Sequence, residues 1–145
     1  MGTVHAFYEK LGKVPVTLNR ELAGYIANRL QKRVLDEAVY LLNEGIASAA
    51  DIDAAMKNSL GIRWSVVGPL EALNQTTPGG FAATLEFVKP SFQDIPDIPA
   101  RDYAGEEAKA AAAKVAEDFG ETASPESLAH RDEYLERVAE ALEGR

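Results

Sequence analysis

At 145 residues, 46% of them hydrophobic, the chain can build one core of ordinary size. It has no cysteine, which excludes disulfides, thiolate nucleophiles and cysteine-ligated zinc and suits a reducing compartment. Its net charge of -8 sits late, with seven basic and seven acidic residues over 1–60 but six and twelve over 101–145, so a phosphate backbone would be repelled and no nucleic-acid partner is expected.

The first element, in TVHAFYEKLG, is predicted as a short helix capped by Thr3 and ended by Gly12. Val14, Val16 and Thr17 around Pro15 then predict a strand over Lys13 to Leu18, at an edge because proline donates nothing to a ladder. A lone strand in an otherwise helical chain has nothing to pair with, which suggests that part of a larger protein is missing.

From Leu22 to about Asn43 the period is helical, with Gly45 as the stop. Ile26, Leu30, Val34, Ala38 and Leu41 form one apolar stripe, and Leu35, Val39 and Leu42 a second beside it. So wide an apolar surface predicts a central helix covered by several neighbours. Arg29, Lys32, Arg33, Asp36 and Tyr40 fill the remaining face, exposed or at an interface, with Lys32 and Asp36 spaced for an (i, i+4) pair. Asn28 falls with Leu35, Val39 and Leu42; on the pattern alone it is a buried amide bonded to loop backbone, and Arg29 half of a surface ion pair.

Ser48 caps a second helix, SAADIDAAMKNS, with Asp51 completing the box and Gly61 ending it. IRWSVVGPLEALNQ holds the only tryptophan, Trp64, beside Arg63, and its Gly-Pro pair starts a helix over Pro69 to about Gln75. The turn TTPGG separates this from a helix over about Phe81 to Phe92. After the proline-stiffened DIPDIPARD come the alanine-rich EEAKAAAAKVAEDF and a last helix with a Ser124 cap, Pro125 in its first position, and a Leu128, Leu135, Val138 and Leu142 stripe. No internal repeat is present.

Catalytic constellations are scarce. No Gly-x-Gly-x-x-Gly or Walker-type loop offers a phosphate cradle. His5 and His130 lie on separate elements without a second ligand at metal spacing, so they read as ordinary surface histidines and no metal is expected. Glu106 and Glu107 read as a solvated helix face rather than an acid pair. No signal peptide and no run of about 18 apolar residues is present, which predicts a cytoplasmic protein with no membrane partner.

Four segments carry a resemblance by their order and spacing: Gly-Lys-x-Pro-Val from Gly12, Gly-Tyr-Ile-Ala-Asn-Arg-Leu from Gly24, Glu-Gly-Ile-Ala-Ser before the Asp-x-Asp helix, and Gly-Pro-Leu-Glu from Gly68. Over residues 3 to 92 the chain resembles the C-terminal part of the L-3-hydroxyacyl-CoA dehydrogenase superfamily. GIRWSVVGPLE and the tail SLAHRDEYLERVAEAL are more similar to its L-gulonate and L-carnitine dehydrogenase branch, although TTPGG departs from the branch patterns.

The resemblance implies an all-α domain of the 6-phosphogluconate-dehydrogenase C-terminal type, preceded by one helix and one orphan strand from the end of a missing Rossmann domain. Residues 1–20 would be that remnant, 21–95 the helical substrate and dimerisation domain, and 96–145 the linker and C-terminal helices. It implies NAD in the complete enzyme and no cofactor on this chain alone. It also implies a homodimer, a nucleotide-binding domain in cis or as a separate chain, and a hydroxy acid or acyl-CoA substrate.

In such enzymes the asparagine of the Gly-aromatic segment lies at the mouth of the active site, near the substrate oxygen, which makes Asn28 a contributing catalytic and substrate-binding residue. There its amide could donate to a developing carbonyl oxygen. Arg29 would be structural, pairing across the dimer. Arg63 would meet a substrate carboxylate, with Trp64 packing on the substrate, where an aromatic would suit the quaternary ammonium of carnitine, or on the partner subunit. The family's proton-transfer histidine and its orienting glutamate fall before the start of this sequence, so the chain alone is expected to be inactive. The alternatives from other classes are a stand-alone subunit of a split dehydrogenase and a helical interaction or binding module.

Overall fold

The computed structural model describes residues 2–99 and 101–143, giving only the backbone of Gly2 and Thr3. All regular structure among the described residues is helical. The chain divides into two compact units, Met1–Val34 and Leu35–Arg145, with the second helix running through the division.

In the first unit, α1 spans Gly2–Lys10 and so begins ahead of Thr3, the expected cap, whose side chain lies outside the described residues. Gly12, at φ +68°, turns the chain, with Gly12 N donating to Glu9 O at 2.9 Å and Lys13 N to Tyr8 O at 3.0 Å. Residues 13–18 then take no regular structure, in contrast to the expected strand. A strand exists only through a ladder, and no other strand among the described residues supplies one. The segment is tied instead to α1, where Thr17 Oγ1 and His5 Nε2 are 2.9 Å apart. The helix expected from Leu22 starts three residues later: α2 is Tyr25–Asn43.

In the second unit the C-terminal part of α2 meets α3, Ala49–Ala55, and α7, Glu106–Phe119. Their Leu42, Ala49 and Ala111 form the core, with Val39 and Ile52 packed on it. Gly45, at φ +69°, lets Ile46 N reach Leu41 O at 2.9 Å and closes α2. Lys114 of α7 donates its ammonium to Leu42 O at 2.7 Å and Asn43 O at 3.2 Å, placing a cation on the negative end of α2. Ser48 Oγ accepts from Asp51 N at 3.1 Å, the cap expected at the start of α3. Ser48→Ala is accordingly expected to lower the unfolding free energy by about 1 kcal/mol, read from a urea titration, with Ser48→Asp recovering most of it.

Gly61 does not end this helix. The run passes from α3 into a π-helical turn, Met56–Gly61, and continues as α4, Ile62–Trp64. Glycine stops a helix by taking a positive φ, and Gly61 sits at φ −61°. Then α5, Pro69–Asn74, and α6, Gly80–Phe92, pack as a hairpin over a turn in which buried Thr84 bonds Thr77 at 3.0 Å and Asn74 Oδ1 accepts from Phe81 N. Finally α8, Pro125–Leu142, begins at Ser124, whose Oγ accepts from Ser127 N at 3.0 Å. Its stripe stays in contact with water, Leu135 being 59% and Val138 46% exposed. No helix among the described residues is long and apolar enough to cross a membrane.

Candidate functional site

The chain enters α2 through two consecutive left-handed residues, Gly24 at φ +79° and Tyr25 at φ +47°. Glycine tolerates that conformation; an aromatic residue there is strained, and such strain is concentrated at functional positions. One turn further on, Asn28 and Arg29 are both exposed, and Asn28 has no side-chain hydrogen bond among the described residues. The expected burial of the Asn28 amide is not observed. Cover for the face it shares with Val39 and Leu42 comes from α7 at those two residues, near the other end of the helix. The expected wide burial of α2 fails for the same reason, Ile26, Leu30 and Leu35 all being exposed.

Arg63 and Trp64 are adjacent on α4, directly after the π turn. Val66 N and Val67 N both donate to Arg63 O, at 3.0 and 2.9 Å, and Ser65 Oγ donates to Ile62 O at 2.7 Å. These bonds close α4 and fix its backbone before Gly68 and Pro69 open α5. The Arg63 guanidinium is exposed, with no hydrogen bond or ion pair among the described residues, while Trp64 is 37% exposed. A planar fork of donors beside a half-covered indole is suited to a carboxylate with an apolar or cationic neighbour. Asn28 belongs to the other unit and stands as a separate feature.

A buried polar cluster lies where the helical period predicts an exposed stripe. Asp36, placed on the exposed stripe by its period, is 1% exposed. Its Oδ1 accepts from the hydroxyl of Tyr103, and its backbone oxygen accepts from Arg101 Nε at 3.2 Å. The Arg101 side chain, 7% exposed, lies 5.8 Å from the Tyr40 ring centroid and pairs with Glu107. An apolar recess of about 230 Å³ lies alongside, lined by Leu35, Val39, Ala108, Ala111, Ala112 and Val115. The carboxylate and guanidinium are engaged in holding the start of α7 on α2, so this cluster clamps the fold. Its sequence signal was the Arg-Asp-Tyr at the end of the proline linker, whose partner Asp36 lies 65 to 67 residues earlier.

A dinucleotide does not fit the described residues. No strand is among them, so they offer no parallel sheet or glycine-rich turn for a pyrophosphate. Nor do they hold any group of three or more His, Asp or Glu placed for a metal ion.

The helical second unit and the Gly-aromatic start of α2 define a class that comparison identifies. Residues 24–96 match the family model of the 3-hydroxyacyl-CoA dehydrogenase C-terminal domain, and the chain belongs to that family. It is 33% identical over 147 residues to the human lambda-crystallin homolog, the match covering 93% of this chain and 43% of that protein. It is 34% identical over 148 residues to the L-carnitine dehydrogenase of Nocardiopsis dassonvillei, covering 94% and 42%. With a 3-hydroxyacyl-CoA dehydrogenase of Gibberella moniliformis the identity is 37% over 101 residues, or 67% and 31% of the two chains. The chain thus spans less than half the length of the curated relatives it matches. The resemblance to the branch containing L-carnitine dehydrogenase is borne out.

Proposed function

We propose that this chain is the substrate-side and dimerisation domain of an NAD-dependent 3-hydroxy acid or 3-hydroxyacyl-CoA dehydrogenase, working with a nucleotide-binding domain outside these residues. The observation that carries the reading is that Asn28, Arg63 and Trp64 all fall inside the matched 24–96 segment, with Asn28 and Arg63 exposed and Trp64 partly covered beside Arg63. In it the Asn28 amide donates to the substrate oxygen that becomes a carbonyl. With a free hydroxy acid as substrate the Arg63 fork holds its carboxylate, and Trp64 covers the substrate or the partner subunit. The other domain would hold NAD, which would supply the hydride acceptor.

Residues 1–20 are read as the end of that other domain. In support, 13–18 is without a ladder and Val14 is 90% exposed, the state of an edge segment waiting for a sheet. The homodimer is supported by the exposed apolar side chains Ile26, Leu30 and Leu35 on α2 and Leu135 and Val138 on α8, apolar surface available for a second copy to cover. The test is to purify the chain, measure its mass by sedimentation equilibrium and assay NAD reduction with 3-hydroxybutyrate or L-carnitine. The expected result is a dimer without turnover; a monomer contradicts the dimer, and turnover by the chain alone contradicts the division of labour.

A further inference from the structure

At about 100° per residue, an unbroken α-helix starting at Ala49 would carry Ile52, Met56 and Leu60 between roughly −60° and +20° of it. That is the covered side: Ala49 is in the core, Ile52 packs on it, and Met56 and Leu60 are half-buried. The same unbroken helix would put Arg63 at about −40°, in the middle of that side, and turn Trp64 to its far edge at about +60°. The structure departs from this, with Arg63 exposed and Trp64, at 37%, less exposed than the flanking Ile62 at 61% and Val66 at 59%. What intervenes is the π turn Met56–Gly61, which spends one extra residue on the same rotation and turns everything after it back by about 100°. Arg63 thereby moves to about −140° and Trp64 to about −40°.

We propose that this π turn is the positioning element of the α4 site, lifting Arg63 off the apolar side of the helix and seating Trp64 there, with Gly61 as its positioning residue. Gly61 is suited to that part because a Cβ on it would lie 3.0 Å from the carbonyl oxygen of Met56, five residues back, which the wider turn brings close. The proposal rests on the reading of Arg63 as the carboxylate contact for its function, but not for its geometry.

The test uses Trp64, the sole tryptophan, as a reporter in the 145-residue chain, with the neutral quencher acrylamide. In an ordinary α-helix, deleting Ser59 would swing Trp64 by about 100°, from about +60° to about −40°, and cover it. Removing the extra residue of a π turn leaves the later azimuths in place, so deletion of Ser59 is expected to keep the quenching constant and emission maximum of the parent chain. Gly61→Ala, which crowds Met56 O and favours the α form, is expected to raise the quenching constant about twofold, and combining it with the deletion is expected to restore the parent value.

A quenching constant changed in either direction by deletion of Ser59 alone overturns the proposal, as does a Gly61→Ala effect that the deletion fails to reverse. If Gly61→Ala does not fold by circular dichroism, the deletion alone decides between the two outcomes. Quenching reports geometry only, so this result is separate from any failure of Arg63→Ala to weaken substrate binding.

Discussion

Asp36→Ala is expected to lower the unfolding free energy of the chain by about 2–3 kcal/mol, more than any surface substitution on α2. Asp36 is fully covered, and its carboxylate accepts from the Tyr103 hydroxyl while its backbone oxygen accepts from Arg101. Removing the carboxylate leaves a small void and takes the acceptor from Tyr103, so the segment that leads into α7 loses its anchor on α2. Asp36→Asn keeps an acceptor of the same shape and is expected to recover roughly half of the loss. Urea titrations followed by circular dichroism give the ordering, and amide exchange in α7 should quicken before that in the α5 and α6 hairpin. An Asp36→Ala chain as stable as its parent would show that α7 is held by Lys114 and the small core alone.

Asn28→Ala and Arg63→Ala are expected to divide their effects between kcat and KM once the complete enzyme is assembled. An amide aimed at an oxygen that gains charge acts mainly in the transition state, and losing one such donor lowers kcat by about 10²-fold with little change in KM. A guanidinium on a carboxylate remote from the reacting carbon holds ground state and transition state alike, so its loss raises KM by about 10²-fold and leaves kcat near its parent value. Arg63→Lys should recover little, because an ammonium does not reproduce the two parallel bonds of the fork. A fall in kcat with Arg63→Ala and an unchanged rate with Asn28→Ala would reverse the assigned roles.

Local features of the fold were legible in the sequence, and features that need a distant partner were not. The Ser48 and Ser124 caps, Pro69 opening α5 and Gly45 closing α2 were all readable, because each is decided within a few residues. Gly61 was misread because a glycine signals a stop only at positive φ, and its φ of −61° is set by the π turn around it. A sequence cue to that turn existed in the spacing of Ala49, Ile52, Met56, Leu60 and Trp64, which drifts beyond the α period.

Asp36 was misplaced because helical period alone gives it a polar face, whereas Tyr103 and Arg101 reach it from the other end of the chain. The segment 13–18 has strand composition, but a strand also needs a neighbour. At the candidate site, the resemblance supplied Asn28, Arg63 and Trp64, while the turn that orients the last two is plain in the backbone and only hinted at by the apolar spacing.

The measurement that bears most directly on the division of labour is a reconstitution. The purified chain is mixed with a separately expressed nucleotide-binding half of the L-carnitine dehydrogenase relative, and NAD reduction is followed with L-carnitine and with 3-hydroxybutyrate. Each half is expected to be silent, the mixture to reduce NAD with at least one of the two substrates, and Arg63→Ala in the chain to raise the substrate concentration required. A mixture whose rate is indifferent to Asn28→Ala and Arg63→Ala, or a chain that reduces NAD unaided, would contradict that division of labour.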